Sequence, residues 1–330
     1  MTVLLDASNV SVNIDTPRGD LHVVEDVSFL LGEGEVLGVV GESGCGKSTT
    51  VRSLIGLLPR GGRVTGGSAL FDGVDLFAQG PASLRAIRGD QIGFVAQNPF
   101  GLLNPVLPIA KQFRTLIRAH RAGLGKAECA SMAREALLRT GIHEPDRVLH
   151  GYAHQLSGGM AQRVVIAMAT ILDPRLLISD EPTTALDVTI QRQVLELMRD
   201  VVRLGNRSMI LVTHDLGVVA QFCDTVIVMY SGSVVESGKV ADVFTHPEHP
   251  YTRGLLASVP GGGRGETLPP GGPPARFEPA RGCQFAPRCS RAETLCSVEP
   301  PPTVSSLDGD RRVRCHFVEL EEVTHGAPAG

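Results

Sequence analysis

The sequence predicts an α/β fold, in which a parallel β-sheet covered by helices carries an inserted helical segment and a small C-terminal cysteine-rich unit. Two patterns support the sheet. The valine-rich segment EVLGVVG (residues 35–41) has the composition of a buried strand, and TTVRSLIGLL (residues 49–58) follows it with apolar residues at helical spacing. Strand and helix signals then alternate from residue 157 to residue 230, as expected of a parallel sheet covered by helices.

The organisation along the chain is predicted from changes in composition. Residues 1 to about 95 alternate short apolar strands with turns, whereas residues about 98–160 have helical periodicity and few β-branched side chains. Residues 260–282 are rich in proline and glycine, which indicates a linker. We therefore expect a main domain over residues 1–259, with a helical subdomain at about 98–160, and a linker with a four-cysteine domain over residues 260–330.

Composition excludes some classes of function. The chain has 330 residues, 42% of them hydrophobic, which is enough for a large core with an appendage. Its net charge of −4 argues against a surface for nucleic acid. It has no apolar run of the ~18 residues that a membrane span needs, and its first twenty residues lack the pattern of a secretory signal. We expect a cytosolic protein.

The loop after the first buried strand has the sequence of a phosphate-binding loop. GESGCGKST (residues 41–49) fits G-x-x-x-x-G-K-[ST], in which backbone N–H groups converge on phosphate oxygens. Lys47 would contact the β- and γ-phosphates, and Ser48 would bind Mg²⁺. The motif predicts a site for a nucleoside triphosphate. Its predicted binding residues are Gly41, Ser43, Gly44, Cys45, Gly46, Lys47, Ser48 and Thr49.

A second anion-binding helix end is predicted in HQLSGGMAQR (residues 154–163). Ser157 is a good N-cap for the helix that follows it, and Gly158 and Gly159 leave the first N–H groups of that helix uncovered. The chain thus has two phosphate-binding helix ends that lie far apart in the sequence. This arrangement makes sense if the second end closes on a nucleotide that another subunit holds.

Two further strand ends carry residues suited to hydrolysis. RLLISDEPTTALD (residues 175–187) begins as an apolar strand that ends at Asp180, and a carboxylate there can hold Mg²⁺. Glu181 would then face the γ-phosphate, where it can orient and deprotonate an attacking water. His214 follows the apolar strand SMILV and can donate a hydrogen bond to the γ-phosphate.

Four cysteines are clustered in the C-terminal tail, with the spacing Cys283-x5-Cys289-x6-Cys296-x18-Cys315. Disulfides are disfavoured in a reduced cytosol, and zinc usually prefers C-x₂₋₄-C pairs, which this tail lacks. Four thiolates also suit a [4Fe–4S] cluster, which tolerates more varied spacing. A cluster, a Zn²⁺ site and free thiols all stay open. A cluster would stabilise a tail that is too small to bury a core of its own.

Taken together, these motifs resemble those of the ATP-binding-cassette (ABC) ATPases. The ordered set is GESGCGKST, a glutamine at Gln97, LSGGM, LLISDEP, Asp187 and His214. The resemblance implies a RecA-like core with an inserted helical subdomain, ATP as the nucleotide, and Glu181 and His214 as catalytic residues. It implies that Mg²⁺ is bound through Ser48, Gln97 and Asp180. It also implies that the ATP site of a facing subunit is completed by Ser157, Gly158, Gly159 and Asp187.

Four segments are similar to those of the ABC subfamily that energises uptake of oligopeptides, dipeptides and nickel. They are QNPFGLLNPVLPI, LSGGMAQR, DEPTTALD and HPYTRGLL. This similarity implies two transmembrane permease subunits, a second ABC ATPase subunit, an extracellular solute-binding protein and a peripheral location on the cytoplasmic side of the membrane. The segment at residues 97–109 would form the groove for the permease. Some members carry a [4Fe–4S] cluster on a similar tail, which would place it on Cys283, Cys289, Cys296 and Cys315.

Three alternatives remain open. The solute could be nickel or another small molecule, since the sequence of an ATPase subunit does not reveal it. A non-transport ABC ATPase of DNA repair or translation would typically have two cassettes or a long coiled-coil insert, and this chain has neither. An iron–sulfur redox protein with a vestigial nucleotide domain would not need Lys47, Asp180 and Glu181. Because no predicted ATP ligand lies beyond His214, we expect replacement of any one of the four tail cysteines by serine to leave the chemistry of the ATP site unchanged.

Overall fold

The computed structural model describes residues 2–183, 187–258, 268–272, 275–306 and 309–318. The strands are β1 Val3–Thr16, β2 Gly19–Gly32, β3 Val36–Val40, β4 Gly62–Phe71, β5 Val74–Asp75, β6 Ile92–Val95, β7 Leu176–Asp180, β8 Ser208–Val212, β9 Thr225–Tyr230, β10 Ser233–Lys239, β11 Thr303–Ser305 and β12 Arg312–Arg314. The helices are α1 Lys47–Leu54, α2 Pro81–Ile87, α3 Pro99–Leu102, α4 Ile109–His120, α5 Lys126–Arg139, α6 Pro145–His150, α7 Gly158–Thr170, α8 Val188–Leu204, α9 Leu216–Phe222, α10 Val240–Thr245, α11 Pro250–Ala257 and α12 Thr294–Val298.

The main sheet has the strand order β11-β12-β10-β9-β3-β8-β7-β6. Its centre is parallel, since β3 pairs with β8 and β9, and β7 pairs with β6 and β8. Every residue of β7 and β8 is buried, which explains why these strands are almost continuously apolar. The predicted α/β core with a parallel sheet is therefore confirmed.

A second, antiparallel sheet covers one side of the core. Its order is β2-β1-β4-β5. Helix α1 lies between the two sheets, because Val51, Leu54 and Ile55 share one apolar cluster with strands β1 and β2 and with Ile178 and Ile210 of the main sheet. The helix that follows the phosphate loop is consequently held on both sides.

Helices α3 to α6 occupy the segment in which the sequence predicts a helical subdomain. Phe113 and Ile117 of α4 are fully buried, and Phe113 belongs to the same cluster as Leu137 of α5 and Val164 and Val165 of α7. Helix α7 also packs against α8, so this cluster joins the inserted helices to the end of the main sheet.

The C-terminal tail continues the main sheet. Strand β12 pairs antiparallel with β10, with Glu236 opposite Val313, and β11 pairs with β12. Phe285 is 3% exposed, and its ring packs edge-on against Tyr230 and Tyr251. The predicted boundary between residues 259 and 260 and the first part of the predicted linker lie outside the described residues. The division into two domains stays a prediction, although the tail shares an apolar cluster with the sheet.

The residue before helix α11 is a buried histidine. His249 is 1% exposed, and its Nδ1 accepts a hydrogen bond from the backbone N–H of Tyr251 at 3.1 Å. Burial lowers the pKa of His249 to about 3, with a smaller contribution from the charge of Arg253. The imidazole is therefore neutral in the folded chain, and its Nδ1 lone pair caps the helix.

This burial predicts a pH dependence of stability. Below about pH 6.5 the unfolded chain protonates His249 and the folded chain does not, so stability is lost as the pH falls toward about 3. His249→Asn keeps a capping oxygen and removes the titrating group. We expect its free energy of unfolding to fall less steeply between pH 6.5 and 5, by up to about 1.4 kcal/mol per pH unit. Urea unfolding at several pH values measures this. The exposed His143→Asn is the control, and equal slopes for all three proteins would contradict the prediction.

Candidate functional site

Three ends of parallel strands bring the predicted nucleotide-binding residues to one edge of the main sheet. The phosphate loop (residues 41–48) follows β3, Asp180 is the last residue of β7, and His214 lies two residues beyond β8. Because β3, β8 and β7 are neighbours that run in the same direction, their carboxyl ends meet. A ligand site at this edge is expected for an open parallel sheet.

The phosphate loop has the backbone that its glycines allow. Gly44 and Gly46 have φ angles of 80° and 101°, in the left-handed region that favours glycine. A Cβ atom on Gly46 would lie 2.7 Å from the carbonyl oxygen of Val23. Lys47 begins α1 and is 4% exposed, and its Nζ donates to the carbonyl oxygens of Gly41 at 2.7 Å and Glu42 at 2.9 Å. The lysine ammonium thus lies within the loop.

The other predicted residues of the loop differ in exposure. Ser43 and Gly44 are exposed, Thr49 is half-buried and Cys45 is buried. Burial raises the pKa of the Cys45 thiol, so it remains protonated at neutral pH. Ser43 and Gly44 are thus the exposed residues of the loop, and binding of phosphate there stays a prediction.

Two of the three residues predicted to hold Mg²⁺, Ser48 and Asp180, are in contact. Ser48 Oγ donates to Asp180 Oδ1 at 2.6 Å, and Asp180 is 1% exposed. A hydroxyl beside a carboxylate supplies the oxygen ligands that Mg²⁺ prefers, so these residues fit the ion. The sequence analysis missed Arg52, whose Nη2 lies 2.7 Å from Asp180 Oδ2. Arg52 stands four residues after Ser48 on α1, and this helical spacing could have revealed it.

Glu181 is held at the centre of the edge. It has a φ angle of 49°, which is strained for a residue with a side chain, and its N–H donates to the carbonyl oxygen of Val212 at 2.9 Å. Gln97 Nε2 donates to Glu181 Oε2 at 3.1 Å, and His214 Nδ1 lies 3.7 Å from the same oxygen. The structure therefore brings Gln97, Glu181 and His214 together. Gln97 contacts the predicted base, and its role as a ligand of Mg²⁺ stays a prediction.

The residues predicted to act on a facing subunit lie around α7 and α8. Ser157 caps α7 and accepts the N–H of Met160 at 3.3 Å, and Asp187 caps α8 and accepts the N–H of Ile190 at 3.0 Å. A Cβ atom on Gly159 would lie 2.8 Å from Ile190 Cγ2, so Gly159 permits close packing of the two helices. Helix α7 packs against α5, α8 and β6, whereas α1 packs against strands of both sheets. The contribution of Ser157, Gly158, Gly159 and Asp187 to a second ATP site stays a prediction.

The four clustered cysteines line a single cavity together with His249 and Phe285. The cavity measures about 20 Å³, room for one water molecule. Burial raises the pKa values of Cys283 and Cys289, which keeps these thiols protonated at neutral pH when no cation is bound. In the part of the chain that the structure describes, no group of three or more His, Cys, Asp or Glu side chains is placed to hold a metal ion. The four thiols line one cavity, but the predicted [4Fe–4S] cluster is not confirmed.

None of the described helices is long and apolar enough to cross a bilayer.

Comparison with known families supports the ATP site. A model of the ABC transporter family matches residues 24–184, which includes the phosphate loop and Glu181. A model of the C-terminal region of oligopeptide/dipeptide transporters matches residues 235–296, which includes α11 and three of the four tail cysteines.

Individual proteins are similar along almost the whole chain. The oligopeptide transport ATP-binding protein OppD of Salmonella typhimurium is 43% identical over 324 residues, covering 97% of this chain and 95% of that protein. The dipeptide transport ATP-binding protein DppD of Bacillus subtilis is 45% identical over 335 residues, covering 100% and 99%. Among solved structures, the dimeric ATP-binding cassette MJ0796 bound to ADP and Pi has a TM-score of 0.64 and 28% identity, covering 72% of this chain and 98% of that one.

The position of Glu181 generates a prediction about turnover. Glu181→Gln removes the base and keeps the shape of the side chain, so ATP binding should persist while turnover falls by about 10²–10⁴. Phosphate release by the assembled complex measures turnover, and binding of ATP is measured separately.

The matched control is Glu135→Gln, at a surface carboxylate of α5 that pairs with Arg139. It should hydrolyse ATP like the unchanged chain. Near-normal turnover of Glu181→Gln would remove Glu181 from the role of base.

Proposed function

This chain belongs to the ABC transporter family of ATPases, and we propose that it is the ATP-hydrolysing subunit of an importer of oligopeptides or dipeptides. The observation that carries the proposal is the joint presence of two features. The first is a candidate ATP site, in which Lys47, Asp180 and Glu181 lie at one edge of the main sheet. The second is the similarity of the chain, over almost its whole length, to oligopeptide and dipeptide transport ATP-binding proteins.

The geometry supports a specific division of roles. The exposed backbone of the phosphate loop and Lys47 bind the β- and γ-phosphates of ATP. Ser48 and Asp180 would hold Mg²⁺, which neutralises charge on the phosphates when it is bound. Glu181 accepts a proton from the attacking water, since the hydrogen bond from Gln97 holds its carboxylate at the sheet edge. His214 is 65% exposed, which leaves it free to turn toward a γ-phosphate and donate a hydrogen bond.

The proposed partners follow from the surfaces that this chain presents. The segment at residues 97–109 exposes the apolar side chains of Phe100, Leu102 and Val106, beside Gln97 at the ATP site. The proposed partners are two transmembrane permease subunits, and we assign this segment to the contact with a cytoplasmic helix of the permease. Apolar side chains next to the ATP site can transmit movement to a membrane partner. The chain would lie on the cytoplasmic side of the membrane, and an extracellular binding protein would deliver the solute.

Purification with native membranes tests the transporter assignment. Two polytopic membrane proteins should remain with the chain, and vesicles that contain the complex should take up a labelled oligopeptide or dipeptide only with ATP. Uptake of nickel without uptake of peptides would favour the nickel alternative. Recovery with DNA or ribosomes and without membrane proteins would favour an ATPase of repair or translation.

A second cassette is the remaining part of the proposal. The phosphate loop of a facing ATPase subunit would be covered by four residues of this chain, Ser157, Gly158, Gly159 and Asp187. In return, the corresponding helix start of the facing subunit would cover residues 41–48 of this chain. The exposed N-terminus of α7 supports this assignment, because its N–H groups suit a phosphate.

Gly158→Leu tests the shared site. The added side chain should block phosphate at the start of α7 and lower hydrolysis at least about tenfold at the site whose phosphate loop belongs to the partner. ATP binding to the isolated chain should stay unchanged, since its own loop is intact. Wild-type hydrolysis by a strictly monomeric chain would refute the shared-site model.

For the cysteine tail we propose one [4Fe–4S] cluster on Cys283, Cys289, Cys296 and Cys315. Two observations support this proposal: all four thiols line one cavity, and four cysteine thiolates are the usual ligands of such a cluster. The cavity would have to widen, since its present volume is far below that of a cluster. Such a cluster would stabilise a tail that is too small to bury a core of its own.

Metal analysis of the anaerobically purified chain tests this cofactor. About four irons per chain, with broad absorption near ~400 nm, are expected for a cluster. Any one of the four Cys→Ser changes should abolish the iron, whereas Cys129→Ser, at a buried cysteine of α5, should retain it. One zinc per chain without iron would show a zinc site, and no metal would leave free thiols.

A further inference from the structure

One residue of the phosphate loop is held by the C-terminal part of the chain. Glu42 directly follows Gly41, and each of its polar groups has a partner. Its carbonyl oxygen accepts from Lys47 Nζ at 2.9 Å, and its N–H donates to the hydroxyl of Tyr251 at 2.8 Å. Its carboxylate forms an ion pair with Arg288. Two of these three partners come from residues beyond the nucleotide-binding motifs.

The ion pair with Arg288 has the geometry of a strong interaction. Arg288 Nη1 lies 2.6 Å from one carboxylate oxygen of Glu42, and Nη2 lies 2.9 Å from the other. Such paired contacts between a guanidinium and a carboxylate are strong and directional. The Arg288 side chain is 10% exposed and that of Glu42 is 23% exposed, so water screens the pair only partly.

Neighbouring groups hold Arg288 in place. Its guanidinium lies over the ring of Tyr230, 5.7 Å from the ring centre, and Nη2 also donates to the carbonyl oxygen of Pro269 at 2.8 Å. Pairing with Glu42 raises the pKa of Arg288, so the charge is permanent. A guanidinium fixed in this way determines where the Glu42 carboxylate can lie.

Tyr251 holds the backbone of the same residue. It is fully buried in α11, and its ring packs against Tyr230 and Phe285. Because the hydroxyl accepts the N–H of Glu42, it fixes the backbone, whereas Arg288 fixes the side chain.

We propose that Arg288 and Tyr251 are positioning residues for the phosphate loop, so that the C-terminal tail is a working part of the ATP site. The proposal rests on the ATP-binding role of residues 41–48. Arg288 neutralises the carboxylate of Glu42, which lies beside the predicted position of the triphosphate. Tyr251 fixes the backbone N–H of the same residue. Without Arg288, the negative charge of Glu42 would repel the phosphates.

Equilibrium binding of ATP with Mg²⁺ to the full chain tests the proposal, and isothermal titration calorimetry measures it. Arg288→Ala should raise the Kd for ATP by about tenfold, because it leaves a half-buried carboxylate unpaired beside the phosphates. The double variant Arg288→Ala with Glu42→Gln should recover to within about threefold of the unchanged chain, since the repelling charge is then gone. Tyr251→Phe should raise the Kd by about threefold, as loss of one hydrogen bond predicts.

Ionic strength separates this mechanism from a general loss of structure. The deficit of Arg288→Ala should shrink as salt is raised from about 0.05 M to 0.5 M, because salt screens repulsion between the carboxylate and the phosphates. The matched control is Arg281→Ala, at an 86% exposed arginine of the tail that pairs with Glu278. It should bind ATP like the unchanged chain at every salt concentration.

Two results would overturn the proposal. One is an unchanged Kd for both Arg288→Ala and Tyr251→Phe. The other is a loss of binding in Arg288→Ala that persists in the double variant and does not respond to salt, which would assign Arg288 a role in folding alone. Because the unchanged chain must bind ATP in the same titration, either result is distinguishable from failure of the ATP-binding role itself.

Discussion

The candidate site depends on the parallel register of β3, β8 and β7. Val39 of β3 and Asp180 of β7 both stand opposite Val212 of β8, so the chain leaves all three strands at the same level. Parallel neighbours need a crossover connection, and helices supply it here. The helices α1, α8 and α9 that follow these strands begin at this edge, where their N-termini favour an anion. The sheet topology thus determines where the carboxylates of Asp180 and Glu181 lie. It also determines the electrostatic field of the helix N-termini at the place where a triphosphate would bind.

The motifs of the ATP site could be predicted because each is short and continuous. GESGCGKST contains a loop and a helix start in nine consecutive residues, directly after a buried strand, and Asp180 ends and His214 follows an apolar strand that is visible in the sequence. The topology then brings them together without further information. Arg52 was missed although its helical spacing from Ser48 was present in the sequence. The strained backbone of Glu181 has no sequence signal, since a glutamate does not reveal its φ angle.

The tail could be predicted much less well, because its structure depends on distant contacts. Strands β11 and β12 have three residues each, too few to show alternation, and β12 exists because it pairs with β10. Arg288 and Glu42 are 246 residues apart, and no periodicity connects them. The expectation that the tail cysteines can be replaced without changing the chemistry of the ATP site followed from the positions of the nucleotide ligands alone, and it stays a prediction. It did not consider residues such as Arg288, which contact the loop and not the nucleotide.

The dependence of the tail on the main sheet explains why it reaches the phosphate loop. Strand β9 is parallel to β3, with Val228 opposite Val40, so Tyr230 at the end of β9 lies at the catalytic edge. Phe285 of the tail packs against Tyr230 and Tyr251. This contact places Arg288, three residues further along the chain, beside Glu42. Arg288 is followed at once by Cys289, which lines the thiol cavity. If the residues that line this cavity become better ordered, the contact between Arg288 and Glu42 strengthens and ATP binds more tightly. Coupling between two sites is reciprocal. Bound ATP must then stabilise the ordered cavity by the same free energy.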